Sequence, residues 1–145
     1  MAFGCLAAVI SVLTFHQGVW ALLHHLNLPP FGMPPAYPMD PVPPFHVPRI
    51  VSLCFWGGVW GIAFGGAWRG PRGSFWLGGL WLGVAAMLVG FFIVAPLKGI
   101  PMASVGNLAN WVKSLMINGS WGIGTGLILG WFLGDTVPPD ELVRH

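Results

Sequence analysis

Phe55-Trp-Gly-Gly-Val-Trp-Gly-Ile-Ala-Phe-Gly65 returns 61 residues further on, altered but legible, as Met116-Ile-Asn-Gly-Ser-Trp-Gly-Ile-Gly-Thr-Gly126. Gly58, Trp60, Gly61, Ile62 and Gly65 are matched by Gly119, Trp121, Gly122, Ile123 and Gly126, and over Val51–Gly65 six of 15 positions are identical. Within these stretches glycine recurs every four residues, at Gly57, Gly61 and Gly65 and again at Gly122, Gly126 and Gly130. Glycine at that spacing is unfavourable in an ordinary soluble helix. In lipid it marks the face along which two helix backbones approach closely.

The rest of the composition agrees. Of 145 residues, 55% are hydrophobic and only 7% are charged, against roughly a quarter charged in soluble domains. The apolar residues lie in runs near the roughly 20 that cross a bilayer as a helix. These runs occupy about residues 2–26, 50–68, 74–95 and 108–133. The expected fold is therefore an all-α membrane protein of four transmembrane helices, a single integral membrane domain over 1–145. The chain opens with no basic segment and no cleavage signal ahead of an evident mature domain, so its first run reads as a membrane helix.

Each run carries a Gly-x-Trp unit, at Gly18–Trp20, Gly58–Trp60, Gly79–Trp81 and Gly119–Trp121, and a further one, Gly66–Trp68 at the end of the second run, has no counterpart. An offset of 61 lays the first run on the third and the second on the fourth, and it also carries Pro35 onto Pro96. The pattern reads as two duplicated helical hairpins of equal topology, a parallel repeat about an axis along the membrane normal. The chance background is raised by 22 glycines and nine tryptophans. On this reading the glycine faces of the second and fourth runs meet as a central, tightly crossed pair.

Between the first two runs, residues 27–48 hold nine prolines in 22 positions, which excludes a helix there. Arg69-Gly-Pro-Arg-Gly73 reads as a tight turn, and residues 134–145 as a polar tail. Arg69 and Arg72 are the densest basic pair, so the positive-inside rule puts that turn and both termini in the cytoplasm, with the proline-rich linker outside. The expected location is a bacterial inner membrane.

Candidate functional groups are few. His16, Gln17 and Trp20 in the first run, with Asn118 and Trp121 in the fourth, are polar or amphipathic groups at membrane depth, where such residues face the bundle interior. They are the candidate lining of a binding site or pathway. The competing reading is helix–helix hydrogen bonding, with a contact from Asn118 to His16 or Gln17 as its most specific form. His24, His25 and His46, with Met33, Tyr37, Met39 and Asp40 nearby, supply imidazole and thioether donors of the kind copper prefers. They show no fixed ligand spacing, and a linker that caps the bundle accounts for the same residues. Haem is not expected, because every intramembrane histidine is in the first run and bis-histidine ligation needs two helices. No cofactor is called for by the motifs present.

The function classes narrow accordingly. No carboxylate lies inside a run, and no nucleophile elbow, zinc-protease or phosphate-loop motif occurs. Six basic residues against four acidic ones make no nucleic-acid surface. The expected partners are the lipid bilayer, other membrane subunits or further copies of the chain. The leading expectation is a non-enzymatic accessory or scaffold protein, with a small carrier or channel running between the hairpins as the alternative. An outer-face metal-binding protein is the third.

Overall fold

A computed structural model of the chain describes residues 1–68, 74–99 and 106–134. The basic turn at 69–73, most of the third linker and the polar tail from 135 onwards lie outside the described residues, and with them the basis for orientation. Four helices account for most of the chain: α1 (Ala2–Leu26), α2 (Arg49–Ala67), α3 (Phe75–Leu97) and α4 (Leu108–Phe132). The first three are long and apolar enough to cross a membrane. At 25 residues α4 has the length, but Asn110, Lys113, Asn118 and its run of glycines make it less apolar.

The helices lie side by side in the order α2, α1, α4, α3. The less apolar α4 is thus an inner helix, held between α1 and α3. Its lower hydropathy fits that position, because Ile117, Trp121, Thr125 and Leu129 are buried against protein. One core cluster joins Ala7, Ala8 and Val12 of α1 to Phe64 of α2, Leu82 of α3, and Trp121 and Leu129 of α4.

Two backbone-to-backbone contacts set the spacing. A methyl group on Gly61 would run into the carbonyl oxygen of Gly4 and into Ala8, and one on Gly65 would press on Gly4. On the other side of the bundle, a methyl on Gly122 would strike the Gly79 carbonyl, and one on Gly126 the Phe75 carbonyl. Gly83 stands in the same relation to the Asn118 carbonyl. The stripes of α2 and α4 therefore do not face each other, as the sequence reading has it. The α2 stripe packs on α1, and the α4 stripe on α3. Gly130, the last of the α4 stripe, is buried as well. The reason is local: each hairpin closes on its own small residues, and α1 then separates α2 from α4.

The contacts also depart from a constant offset of 61. That offset relates Gly61 to Gly122, but it relates Gly79 to Gly18, which has nothing within 4 Å of an added methyl. In the packed hairpins Gly79 stands to Gly122 as Gly4 stands to Gly61. The tryptophans diverge too: Trp121 is 3% exposed whereas its counterpart Trp60 is half-buried, and Trp81 is 66% exposed whereas its counterpart Trp20 is half-buried.

Two helices carry a wider π turn, Val12–His16 in α1 and Gly90–Val94 in α3. Such turns displace one backbone carbonyl from the regular ladder. Asn27, in the left-handed region at φ 42°, ends α1 with its amide on the Leu23 carbonyl. Asn107 begins α4 by accepting from the Ala109 amide at 2.9 Å, the usual N-cap arrangement.

If the close approaches set the fold, alanine substitutions separate cleanly. Gly122→Ala and Gly61→Ala force backbones apart and should lower stability by about 1–3 kcal/mol, read as the thermal unfolding midpoint in detergent. Gly18→Ala should leave the midpoint unchanged or raise it. Equal midpoints for all three variants would remove this account of the packing.

Candidate functional site

The polar residues of α1 meet the proline-rich linker. Gln17 has no exposed surface, and its Oε1 accepts from the backbone amide of Tyr37 at 2.6 Å. An amide N–H can donate only to the oxygen end of the carboxamide, which fixes the orientation of that group. Gln17 Nε2 therefore turns to His16 and donates to Nδ1 at 3.2 Å. A ring nitrogen that accepts carries no proton, so His16 holds its hydrogen on Nε2. His16 is 7% exposed and lies against Trp20, with ring centroids 5.9 Å apart.

One and two turns further along, the same side of α1 continues to hold the linker. Trp20 Nε1 donates to the Pro34 carbonyl at 2.8 Å, and His24 Nδ1 donates to the Met33 carbonyl at 2.8 Å. Both acceptors belong to residues beside or within prolines, whose neighbourhood offers carbonyls but few amides. Tyr37, the sole tyrosine, sits in the left-handed region at φ 55°, a costly conformation for an aromatic residue. It is held there from both ends, since its hydroxyl donates to the Leu13 carbonyl of the π turn at 2.8 Å.

The far end of the linker is tied to α2. The amides of Arg49 and Ile50, which open the helix and have no partner within it, donate to the carbonyls of Asp40 and Pro38, each at 3.0 Å. Arg49 also pairs with the Asp40 carboxylate. Both side chains are about half exposed, so the pair orients the linker more than it stabilises it. Between the ties, Pro41–Val42 and Val47–Pro48 form a short antiparallel ladder, with His46 in its turn. Trp20, Pro34, Tyr37, Asp40 and Arg49 wall a recess of about 380 Å³. With one cation, one anion and two aromatic rings, it has the chemistry to hold a small polar group.

The other sequence candidates fall elsewhere. Trp121 is in the seam between α1 and α4, where its Nε1 donates to the Ala8 carbonyl at 3.1 Å. Its own carbonyl accepts from Ser11 Oγ at 2.6 Å and Thr125 Oγ1 at 2.8 Å. Asn118 does not reach His16 or Gln17; its Nδ2 donates to the Ser114 carbonyl one turn back, at 2.9 Å. In a helix, that nearby carbonyl competes well with any distant partner. The five pathway candidates thus divide into His16, Gln17 and Trp20 under the linker and Trp121 and Asn118 in or on α4. His24 and His25 lie ring to ring, with centroids 5.6 Å apart. His46 sits apart from them in the ladder turn, and among the described residues no three of His, Cys, Asp and Glu gather where one metal ion could be held.

Sequence reasoning missed the partners of Gln17 and Trp20 because those partners are backbone groups, which carry no residue signature. The lone tyrosine in a proline-rich stretch was the available signal.

Replacing Gln17 by Leu leaves the Tyr37 amide without its acceptor, a loss of about 1–3 kcal/mol at a buried group. Hydrogen exchange should then report faster exchange at Tyr37 and through the linker, while the helix amides around Trp121 keep their protection. Unchanged exchange at Tyr37 would contradict the clasp. Compared with known proteins, the chain matches no protein-family model, no curated protein and no solved structure.

Proposed function

We propose that the chain is a four-span inner-membrane protein acting as an accessory or scaffold subunit, alone or through association with further copies of itself. One observation carries this reading: among the described residues, six polar side chains of α1 and α4 are engaged with the protein's own backbone. Gln17, Trp20 and His24 hold the linker, and Ser11, Trp121 and Thr125 hold the α1–α4 seam. In hydrocarbon such groups must be satisfied internally, and here their satisfaction builds the fold and its cap.

In this reading α4 spans with its neighbour, since its glycine contact with α3 keeps the two antiparallel over several turns. Both termini and the Arg69–Gly73 turn are cytoplasmic, and the linker faces outward. The two hairpins descend from one duplicated unit whose second and fourth helices keep the older register. The carrier alternative draws on the buried His16–Gln17 pair beneath the linker. It is less well supported, because Trp121 and Ser11 fill the seam through which a path between hairpins would run.

Solubilisation from native membranes in mild detergent, followed by sizing and mass spectrometry of the tagged full chain, tests the assembly. The expected result is a particle larger than one 15.6 kDa chain, containing further copies or a second membrane protein. A lone monomer with no companion overturns the scaffold reading. Proteoliposome flux that disappears in His16→Ala would replace it with the carrier reading.

A further inference from the structure

A groove of about 470 Å³ runs along the bundle where α1 and α3 diverge over α4. Its floor is Met116, Gly119, Ser120 and Ile123, and its walls include Val19 on one side and Trp81 on the other. We propose that this groove is a binding site for one anionic phospholipid, with an acyl chain in the groove and the phosphate on Lys113. The proposal goes beyond the scaffold reading and rests only on the bundle lying in a membrane.

Width decides between a lipid chain and a helix as occupant. The floor from Leu115 to Ile123 covers about 12 Å at 1.5 Å per residue. Spread over that length, the volume gives a mean cross-section of about 40 Å². A helix with side chains is at least about 10 Å across, or about 80 Å² in section, so a helix packed on this face would cover the groove without entering it. A hydrocarbon chain, much thinner, enters it. Gly119 keeps the floor low: a methyl there would meet only Leu80 and Leu115, at 3.6 and 3.9 Å.

Charge supplies the second argument. Lys113 lies seven residues before Ser120, close to the same side of α4, and towards the end of the helix that shares the linker side of the bundle. A lysine stem reaches readily to headgroup depth, so from this position Lys113 can bring its ammonium to a phosphate whose acyl chain lies in the groove. The ion pair seen among the described residues joins Arg49 to Asp40, and the remaining acids, Asp135, Asp140 and Glu141, belong to the tail beyond the last helix. A cation so placed selects a phosphate whose net charge is negative over one that is neutralised by choline.

Native mass spectrometry of the full chain, titrated with phosphatidylglycerol or with phosphatidylcholine, tests the site. One phosphatidylglycerol should bind with about fivefold preference, the scale of a single basic residue at an anionic surface. Lys113→Gln should remove the preference, and Lys98→Gln, on the exposed end of α3, should keep it. Gly119→Leu should weaken both lipids by filling the floor. Ile123→Trp fills the floor one turn further along and gives an independent test where unfolding midpoints show Gly119→Leu to be misfolded. Equal binding of the two lipids, or a preference that survives Lys113→Gln, overturns the proposal. So does cross-linking of Met116→Cys to another chain in native membranes.

Discussion

Backbone contact between glycines is the constraint on which the bundle depends. Water drives soluble helices together by excluding their apolar faces, but lipid tails offer an apolar helix as good an environment as another helix does. What remains is close packing and the hydrogen bonds it allows. At Gly4–Gly61 and Gly79–Gly122 the backbones approach until a single methyl group would strike a carbonyl oxygen. Once the two hairpins are drawn that tightly, the seam between α1 and α4 is narrow enough for Ser11 to reach the Trp121 carbonyl and for Trp121 to reach Ala8. The polar contacts in the seam therefore presuppose the glycine contacts beside it.

The second layer of organisation is the clasp between α1 and the linker. A 22-residue segment rich in proline pairs little of its backbone within itself beyond the short ladder of Pro41–Val42 and Val47–Pro48, and other carbonyls in it need donors from elsewhere. The side of α1 that presents Trp20 and His24 meets that need at two successive levels, and Gln17 one turn before them accepts from the Tyr37 amide. The linker in turn supplies carbonyls to the first amides of α2. What looks from composition like a spacer is thus a fixed cap whose two ends terminate one helix and begin the next.

The helices, their number and their glycine faces were legible because each depends on composition and spacing within one segment. Which glycine face meets which helix was not legible. Gly57, Gly61 and Gly65 identify a side of α2 on which a backbone can approach, but nothing in their spacing distinguishes α1 from α4 as the partner. The stripe on α1 is partly made of alanine and serine, at Ala8 and Ser11, and so is fainter than the one on α4. Similarly, Gln17 and His16 stood out as polar groups at depth, yet their division between helix contacts and a ligand omitted the linker amide that Gln17 engages. The recurrence of Met116–Gly126 marked its glycines as packing residues and gave no sign of a groove, because a groove is made by the divergence of α1 from α3 and not by the residues on its floor.

Differences between positions 61 residues apart have a physical basis in the packing. Gly57 on α2 corresponds to Asn118 on α4, and the exchange follows from their neighbours. Gly57 lies where Val12 and Trp121 crowd in, with no room for a side chain. The side chain of Asn118 is only partly buried, bonded back to its own helix, while its carbonyl receives the close approach of Gly83. Gln17 has Gly78 as its counterpart under the 61-residue offset, and a methyl on Gly78 would enter the Trp68 ring. One half thus uses its space for a polar clasp to a long linker, and the other for an aromatic ring at the opposite end of the bundle. At these positions, then, the difference between residues 61 apart follows from what each one meets in the packed bundle.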